Sequence, residues 1–402
     1  MKKTLYKLNK LIIFSLLLTS LQAKEKYLLL TQGNEWLPMM SQNFIENHDT
    51  IKNLPFSGFI IVGNTFTHEV MKPKTKLDYQ TVWNEVKGLK DLYRDKHNFL
   101  RIDIHFPADY WDYVAWEQVT KNFAIVAQVA ADLNFKGIVF DDEIYEDIND
   151  YKMVNFKFPT KNELNEHSTV WERKGSQEKA IFDKHAYRNP QYTFKEHSDK
   201  ITSLFKEIMK SMIEVNPNLT VLVYNGPALS HPNSNKDNRL IVNLGTPRLH
   251  EHLGAIFTGF KEGLDKNATL YDMGESYRYR EEGHFQNSYQ WRKYNIAKDE
   301  YNNDLDNSYQ WLVPSQDRAS WSQDVKVGFM VFNKGQASMF PEFDTRHRST
   351  INDIKETLQK ALKYSDKYAI YYTEEQDWVR PNTPYPLTEG WMEMMQEVYK
   401  NK

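Results

Sequence analysis

The stretch FKGIVFDDE, residues 135–143, carries a short apolar run directly into three carboxylates. Apolar and β-branched residues in a run of this length are typical of a buried strand, and side chains alternate between the two faces of a strand. Asp141 and Glu143 are therefore expected to share one face, while Asp142 takes the other. A buried strand that ends in three acids predicts a polar site at its carboxyl end.

Seven similar runs recur along the chain and alternate with segments of helical spacing. The runs span 26–32, 56–64, 98–106, 219–226, 268–275, 325–333 and 367–375. Apolar residues three and four positions apart mark 80–95, 115–133, 195–215, 248–265, 349–365 and 388–400. Apolar strands joined by helical crossovers form a parallel sheet that is covered on both faces. Eight such units predict an α/β fold, a closed (β/α)8 TIM barrel.

Three connections after strands are long and polar, namely 144–194, 227–247 and 276–324, after the fourth, fifth and sixth strands. A barrel of this kind places its chemistry on such loops, so they predict a built-up binding cleft. No glycine pattern of a nucleotide-binding loop follows any strand, and no linker composition or repeat divides the chain. We therefore expect a single domain over 24–402.

The first 23 residues have the organisation of a signal peptide. Lysines at positions 2, 3, 7 and 10 precede an apolar run over 11–18, and Ala23 ends a cleavage site. No later stretch approaches about 18 uninterrupted apolar residues, so we expect no membrane span after signal cleavage. With no cysteine there is neither a lipid-anchored cysteine nor a disulfide framework. These features predict a periplasmic or secreted protein.

The overall charge argues against nucleic acid as a partner. Lys and Arg number 51 and Asp and Glu 54, which gives a net charge of −3 and no polycationic face. Aromatic residues make up 14% of the chain, with 10 Trp and 24 Tyr. Flat rings that carry a polar group suit sugars, so we expect a glycan or oligosaccharide as the partner.

The carboxyl ends of the predicted strands converge on one rim in a closed barrel. Polar and aromatic side chains at these ends are candidates for substrate binding: Trp36, Asp103, Tyr145, Tyr224, Asn225, Tyr271, Tyr277 and Trp378. Each also has a purely structural interpretation, since loop tryptophans often pack and an Asn often caps a turn. The histidines lack the spacing of a zinc site, so no metal and no cofactor is predicted.

The crowding of Asp141 and Glu143 suggests a chemical role. Two neighbouring carboxyl groups cannot both ionise at low cost, so one of them acquires a raised pKa. A carboxylic acid that stays protonated near neutral pH can donate its proton to the leaving oxygen of a glycosidic bond. Glu143 is thus the candidate general acid, with Asp141 as its electrostatic partner. The alternative that needs no catalytic role is that the strand simply ends in solvent, where Asp and Glu are common.

The same residues resemble a known signature. FKGIVFDDEIY is similar to the fourth strand of chitinase-type glycoside hydrolases, F-D-G-x-D-x-D-x-E, in which the last Glu is the acid. The resemblance implies that Glu143 is the acid and that Asp141 assists the substrate's N-acetyl group, with support from Tyr271 and Asp272 of the sixth strand. Lys136 and Val139 depart from the signature where it has Asp.

Other mechanisms and other functions remain open. In a two-carboxylate mechanism, Glu275 or Glu374 would face Glu143 as nucleophile or base, and Glu275 is slightly favoured. The end YAIYYTEEQDW resembles the last strand of many carbohydrate-active barrels. Val139 leaves room for an inactive glycan-binding barrel. A polysaccharide lyase or deacetylase would need a metal or a Tyr or His base.

Overall fold

The computed structural model describes a parallel barrel surrounded by helices. The described residues are 25–33, 37–72, 74–104, 110–142, 169–174, 177–182, 194–227, 253–274, 276, 279–298, 313–333, 350–374, 376–383 and 386–400. In chain order the strands are β1 (Tyr27–Gln32), β2 (Gly58–Ile61), β3 (Phe99–Asp103), β4 (Gly137–Asp141), β5 (Thr169–Lys174), β6 (Gln177–Phe182), β7 (Thr220–Val223), β8 (Thr269–Asp272), β9 (Val325–Val327), β10 (Phe329–Asn333) and β11 (Tyr368–Thr373).

Nine of these strands form one sheet in the order β10-β11-β1-β2-β3-β4-β7-β8-β9, and neighbours pair in parallel. The two strands at the ends of this order, β9 and β10, are consecutive in the chain and separated only by Gly328. The sheet therefore closes on itself, and the predicted (β/α)8 barrel is confirmed. The predicted seventh strand, 325–333, is divided at that glycine.

Gly328 lies close to four other residues of the barrel wall and its surrounding layer. Its amide donates to the Asp272 carbonyl at 2.8 Å, and its own carbonyl accepts a hydrogen bond from Arg292, also at 2.8 Å. A methyl group at this position would lie 2.4 Å from the Met273 side chain and 2.8 Å from the Tyr368 carbonyl. Only glycine fits this approach of β9 and β10 to the adjacent strands.

Helices follow the barrel strands as the sequence predicts. They are α1 (Ser41–Glu46), α2 (His48–Ile51), α3 (Tyr79–Val86), α4 (Tyr113–Asp132), α5 (Phe194–Val215), α6 (Leu253–Glu262), α7 (Glu282–Gln290), α8 (Trp321–Asp324), α9 (Ile351–Tyr364) and α10 (Trp391–Lys400). Part of the expected loop 276–324 is helical, since α7 continues into a π-helix at Trp291–Asn295. Within 144–194, β5 and β6 pair antiparallel as a hairpin.

The buried apolar side chains form two groups. The smaller group fills the barrel interior and includes Leu29, Ile60, Phe99, Val139, Leu222, Tyr224, Tyr271, Met273, Met330, Tyr368 and Ile370. The larger group fills the layer between the sheet and the helices and includes Ile138 and Phe140. Val139 thus points into the barrel and its neighbours point out, which makes Asp141 an inward residue by alternation. Among the described residues, no helix is long and apolar enough to cross a membrane.

We predict that Gly328→Ala destabilises the fold by about 1–3 kcal/mol, because the added methyl group forces strands that already touch to move apart. Gly283→Ala is the matched control, since a methyl group there meets nothing within 4 Å on the exposed side of α7. The control should be neutral or slightly stabilising. Urea unfolding of both variants checks this, and equal stability of the two would contradict the closure at Gly328.

Candidate active site

A buried cluster of opposite charges lies at the carboxyl end of β3 and β4, inside the barrel. The Arg101 guanidinium donates from Nε to Asp103 Oδ1 at 2.7 Å and from its Nη2 to Asp141 Oδ2. Its face also lies over the Tyr224 ring, 5.2 Å from the ring centroid. All four side chains are buried, with at most 4% of any of these residues exposed.

Strand register explains why these groups meet. Asp103 and Asp141 are directly paired residues of adjacent parallel strands, and Arg101 lies two residues deeper on the same face. Alternation sends all three into the barrel. Two carboxylates at one level therefore face a single guanidinium below them, and that guanidinium binds both.

The charges in this cluster do not balance. Burial raises the pKa of the Asp103 carboxyl well above its usual range; Arg101 opposes this effect and the Asp141 charge adds to it. Behind the cluster, burial also raises the pKa of Asp142 well above its usual range, again with a contribution from Asp141. The site thus holds more buried carboxyl groups than the single cation of the cluster can neutralise, so it favours retained protons.

Asp142 and Asn225 form a structural pair on the outer face of the sheet. Asp142 Oδ1 accepts hydrogen bonds from the Asn225 backbone amide and from its side-chain amide, both at 3.0 Å. Both residues are fully buried. Asn225, a predicted substrate-binding residue, here joins the end of β4 to the end of β7.

Asp272 also faces the outer layer. Its Oδ1 lies 3.0 Å from Arg292 Nη1, and Arg292 in turn binds the Asp272 and Gly328 carbonyls. Burial raises the Asp272 pKa, and Arg292 opposes that shift. A methyl group on Gly226 would lie 2.2 Å from the Asp272 carboxylate. Because glycine has no side chain, position 226 leaves room for this carboxylate. The structure does not bring Asp272 together with Asp141 inside the barrel.

Two predicted aromatic contacts are also packed among apolar side chains. Tyr271 lies in the barrel interior, with its ring 5.2 Å from that of Tyr368, the first residue of β11. Trp378 is 2% exposed and meets the Phe56 ring edge to face at 5.1 Å. Its backbone amide donates to Gln32, which ties the segment after β11 to the end of β1.

Glu374 lies at the carboxyl end of β11 and is half-buried. Its Oε1 accepts a hydrogen bond from the Tyr372 hydroxyl at 2.6 Å. The Tyr372 ring stacks on Phe332 at 5.0 Å, so this end of the barrel carries an aromatic wall beside the carboxylate. Five of the predicted site residues lie outside the described residues: Trp36, Glu143, Tyr145, Glu275 and Tyr277.

Sequence reasoning missed two residues of this site. Arg101 precedes Asp103 by two positions, and this spacing could have revealed it, because residues two apart share a strand face. His68, in the turn segment after β2, lies 3.7 Å from Asp103 Oδ2 through its Nδ1. No local pattern marks His68, since only the fold brings it to the end of β3.

No family model matches the chain, and no curated protein matches it. Solved structures resemble it at low identity. A GH5-4 broad-specificity endoglucanase from an uncultured bacterium is 10% identical over 88% of this chain and 84% of its own, with a TM-score of 0.43. A β-mannanase from the blue mussel Mytilus edulis is 8% identical over 94% and 92%, with a TM-score of 0.43.

Active domain 2 of a thermostable chitinase from Pyrococcus furiosus is 9% identical, over 94% of each chain, with a TM-score of 0.41. These three neighbours are glycoside hydrolases with TIM-like barrels. The assignment of this chain to the barrel fold rests on its own strand order.

We predict that Arg101→Met destabilises the protein by about 3–5 kcal/mol at pH 7, because it leaves two buried carboxylates without their cation. The loss should shrink as the pH falls, since a protonated carboxyl group needs no counter-charge and its raised folded-state pKa favours folding at low pH. Urea unfolding at pH 7 and pH 4.5 measures both effects.

Arg94→Met is the matched control. Arg94 forms an exposed ion pair with Asp91 at 3.0 Å, and its loss should cost at most about 1 kcal/mol. Similar losses for the two variants, or a loss for Arg101→Met that does not depend on pH, would contradict the buried cluster.

Proposed function

We propose that this chain is an exported glycoside hydrolase that cleaves a glycan at the carboxyl end of its barrel. The buried cluster of Arg101, Asp103 and Asp141 is the observation that carries the proposal. Such concentrations of perturbed carboxyl groups at the carboxyl ends of barrel strands are typical of catalytic sites. We further propose that residues 1–23 direct export, to the periplasm or out of the cell.

Glu143 is proposed as the general acid. It follows the inward-facing Asp141 by two positions, as the last Glu does in the chitinase-type signature. Asp141 is bound by Arg101, so it supplies a fixed partner whose negative charge opposes ionisation of nearby carboxyl groups. A carboxyl group kept protonated in this way can donate its proton to a leaving oxygen.

The second group of the mechanism is proposed to be a carboxylate rather than the substrate's own N-acetyl group. Val139 fills the barrel interior at a position where the chitinase-type signature has Asp. Asp141 is already engaged by Arg101, which makes it a poor partner for an N-acetyl group. Glu374 is half-buried at a strand end beside Tyr372, and Glu275 is the other candidate.

A barrel that binds glycans without cleaving them is the second candidate function. Val139 also favours this binding function, because its side chain offers methyl groups to the barrel interior at a position where the chitinase-type signature has an acid. Such a protein would keep the aromatic wall of Phe332 and Tyr372 and hold a sugar against it.

We predict that the full chain releases shorter products from at least one member of a panel of chito-, cello- and manno-oligosaccharides labelled at the reducing end. Glu143→Gln should lower this turnover by at least about 100-fold, because it removes the proton donor. Thermal unfolding of the variant should stay close to that of the wild-type chain. Chromatography of the labelled products measures the turnover.

Glu117→Gln is the control, since Glu117 forms only an exposed pair with Lys121 on α4. It should keep full turnover. Retention of a labelled oligosaccharide without any product would support the binding protein instead. Full activity in Glu143→Gln would remove Glu143 from the mechanism.

A further inference from the structure

Two apolar side chains are exposed next to each other at the start of α4. Tyr113 is 68% exposed and Val114 is 80% exposed. Among the described residues, Tyr294 is the other exposed large apolar side chain, at 45%. Exposed apolar side chains that occur singly need no explanation, whereas a contiguous pair is a candidate binding surface.

This pair lies at the same end of the barrel as the charged cluster. Each helix of a (β/α)8 barrel begins at the carboxyl end of the strand before it and runs back to the amino end of the strand after it. α4 ends at Asp132 and β4 begins at Gly137, so the last turn of α4 lies at the amino end of the barrel. Its first residue, Tyr113, therefore lies at the carboxyl end, where β3 ends at Asp103.

The exposed apolar side chains are confined to the first turn of α4. Further along the helix, the outward side chains are charged, and Glu117 forms an exposed ion pair with Lys121 at 2.7 Å. On the inward face, Trp116 and Val119 are buried. A surface helix normally has a polar outer face along its whole length. In α4 only the turn nearest the carboxyl end of the barrel departs from this rule.

Packing and capping hold this turn in place. The Tyr110 ring stacks on Trp116 at 5.9 Å, and Asp112 accepts a hydrogen bond at 3.0 Å from the backbone amide three residues further on. The Lys200 ammonium group of α5 lies 4.1 Å from the centroid of the Tyr113 ring. A cation above the face of a ring restricts the orientation of that ring. The Tyr113 ring is thus held against Lys200 while most of its surface stays exposed.

The size of the patch decides which class of partner it can hold. One tyrosine and one valine side chain offer on the order of 200 Å², far less than the roughly 800 Å² that each partner contributes to a stable protein interface. A single sugar ring has a matching size. Its C–H bonds carry partial positive charge, which packs well on the negative face of an aromatic ring. Lys200 places hydrogen-bond donors beside the ring, and these suit the hydroxyl groups of a sugar.

We propose that Tyr113, Val114 and Lys200 form a second glycan-binding subsite at the rim of the barrel. The inference rests on the proposed function, since the occupant is a sugar of the same glycan, beyond the bond that is cleaved. A long glycan then contacts both the opening of the barrel and the rim, whereas a short glycan contacts the opening alone. Two contacts on one molecule reinforce each other, so the subsite favours long glycans over short ones.

Affinity electrophoresis of the full chain, in gels that contain glycol chitin, hydroxyethyl cellulose or galactomannan, tests the subsite without catalysis. With the polymer that retards the wild-type chain most, Tyr113→Ala should raise the dissociation constant by at least about 5-fold, because the sugar loses its aromatic contact. Tyr113→Phe keeps the ring and should bind like the wild-type chain. Tyr294→Ala is the matched control and should also bind like the wild-type chain. The Tyr294 ring meets that of Tyr289, which binds Asp366 just before β11, at the amino end of the barrel.

Equal retardation of Tyr113→Ala and the wild-type chain would overturn the subsite, and so would a wild-type chain that none of the three polymers retards. A wild-type dimer that Tyr113→Ala converts into monomers would also overturn it, since the patch would then bind a second copy of the chain. Product release from the labelled oligosaccharides decides the proposed function separately. Retardation that depends on Tyr113, without any product, would leave the subsite in place and remove the hydrolase.

Discussion

Closure of the sheet is the constraint on which every feature of the site depends. The chain passes from β9 to β10 through Gly328, and this single step joins the two ends of a nine-stranded order. Without it, β3, β4 and β11 would end along the edge of an open sheet rather than around one opening. Gly328 has no side chain, so the backbone between β9 and β10 can lie directly against Met273 and the Tyr368 carbonyl. This close approach explains why the barrel can close although the strand is divided.

Inside the closed barrel, one guanidinium holds two carboxylates that would otherwise repel each other. Arg101 lies on the Tyr224 ring and binds Asp103 and Asp141 at the same time. Such a buried arrangement contributes little net stability compared with apolar packing, because the desolvation of each charge offsets much of the attraction. Its presence at the carboxyl ends of barrel strands is therefore easier to explain by chemistry than by stability. The proximity of His68 to Asp103 extends this cluster towards the solvent.

The barrel was predictable from the sequence because its signal is local: apolar runs alternate with helical spacing. The inward direction of Asp141 followed from alternation once Val139 was seen inside. The same rule places Asp272 opposite to Tyr271, so only one of that pair can point into the barrel. Contacts between residues of different strands, such as Arg101 with Asp141 or Asp142 with Asn225, could not be predicted from the sequence. The register between strands decides these contacts, and no single stretch of sequence encodes that register. The break at Gly328 was missed for a related reason, since the run 325–333 is mostly apolar on both sides of this glycine and carries no local sign of a division.

The central claim is that the barrel buries two carboxyl groups, Asp103 and Asp141, against one cation at its carboxyl end. The titration of the Asp103 side-chain carboxyl carbon, followed by nuclear magnetic resonance and assigned with Asp103→Asn, tests this most directly. Burial should keep Asp103 protonated to a pH well above the usual value of about 3.9. Titration of Asp103 near that ordinary value, as for a carboxyl group in water, would contradict the account.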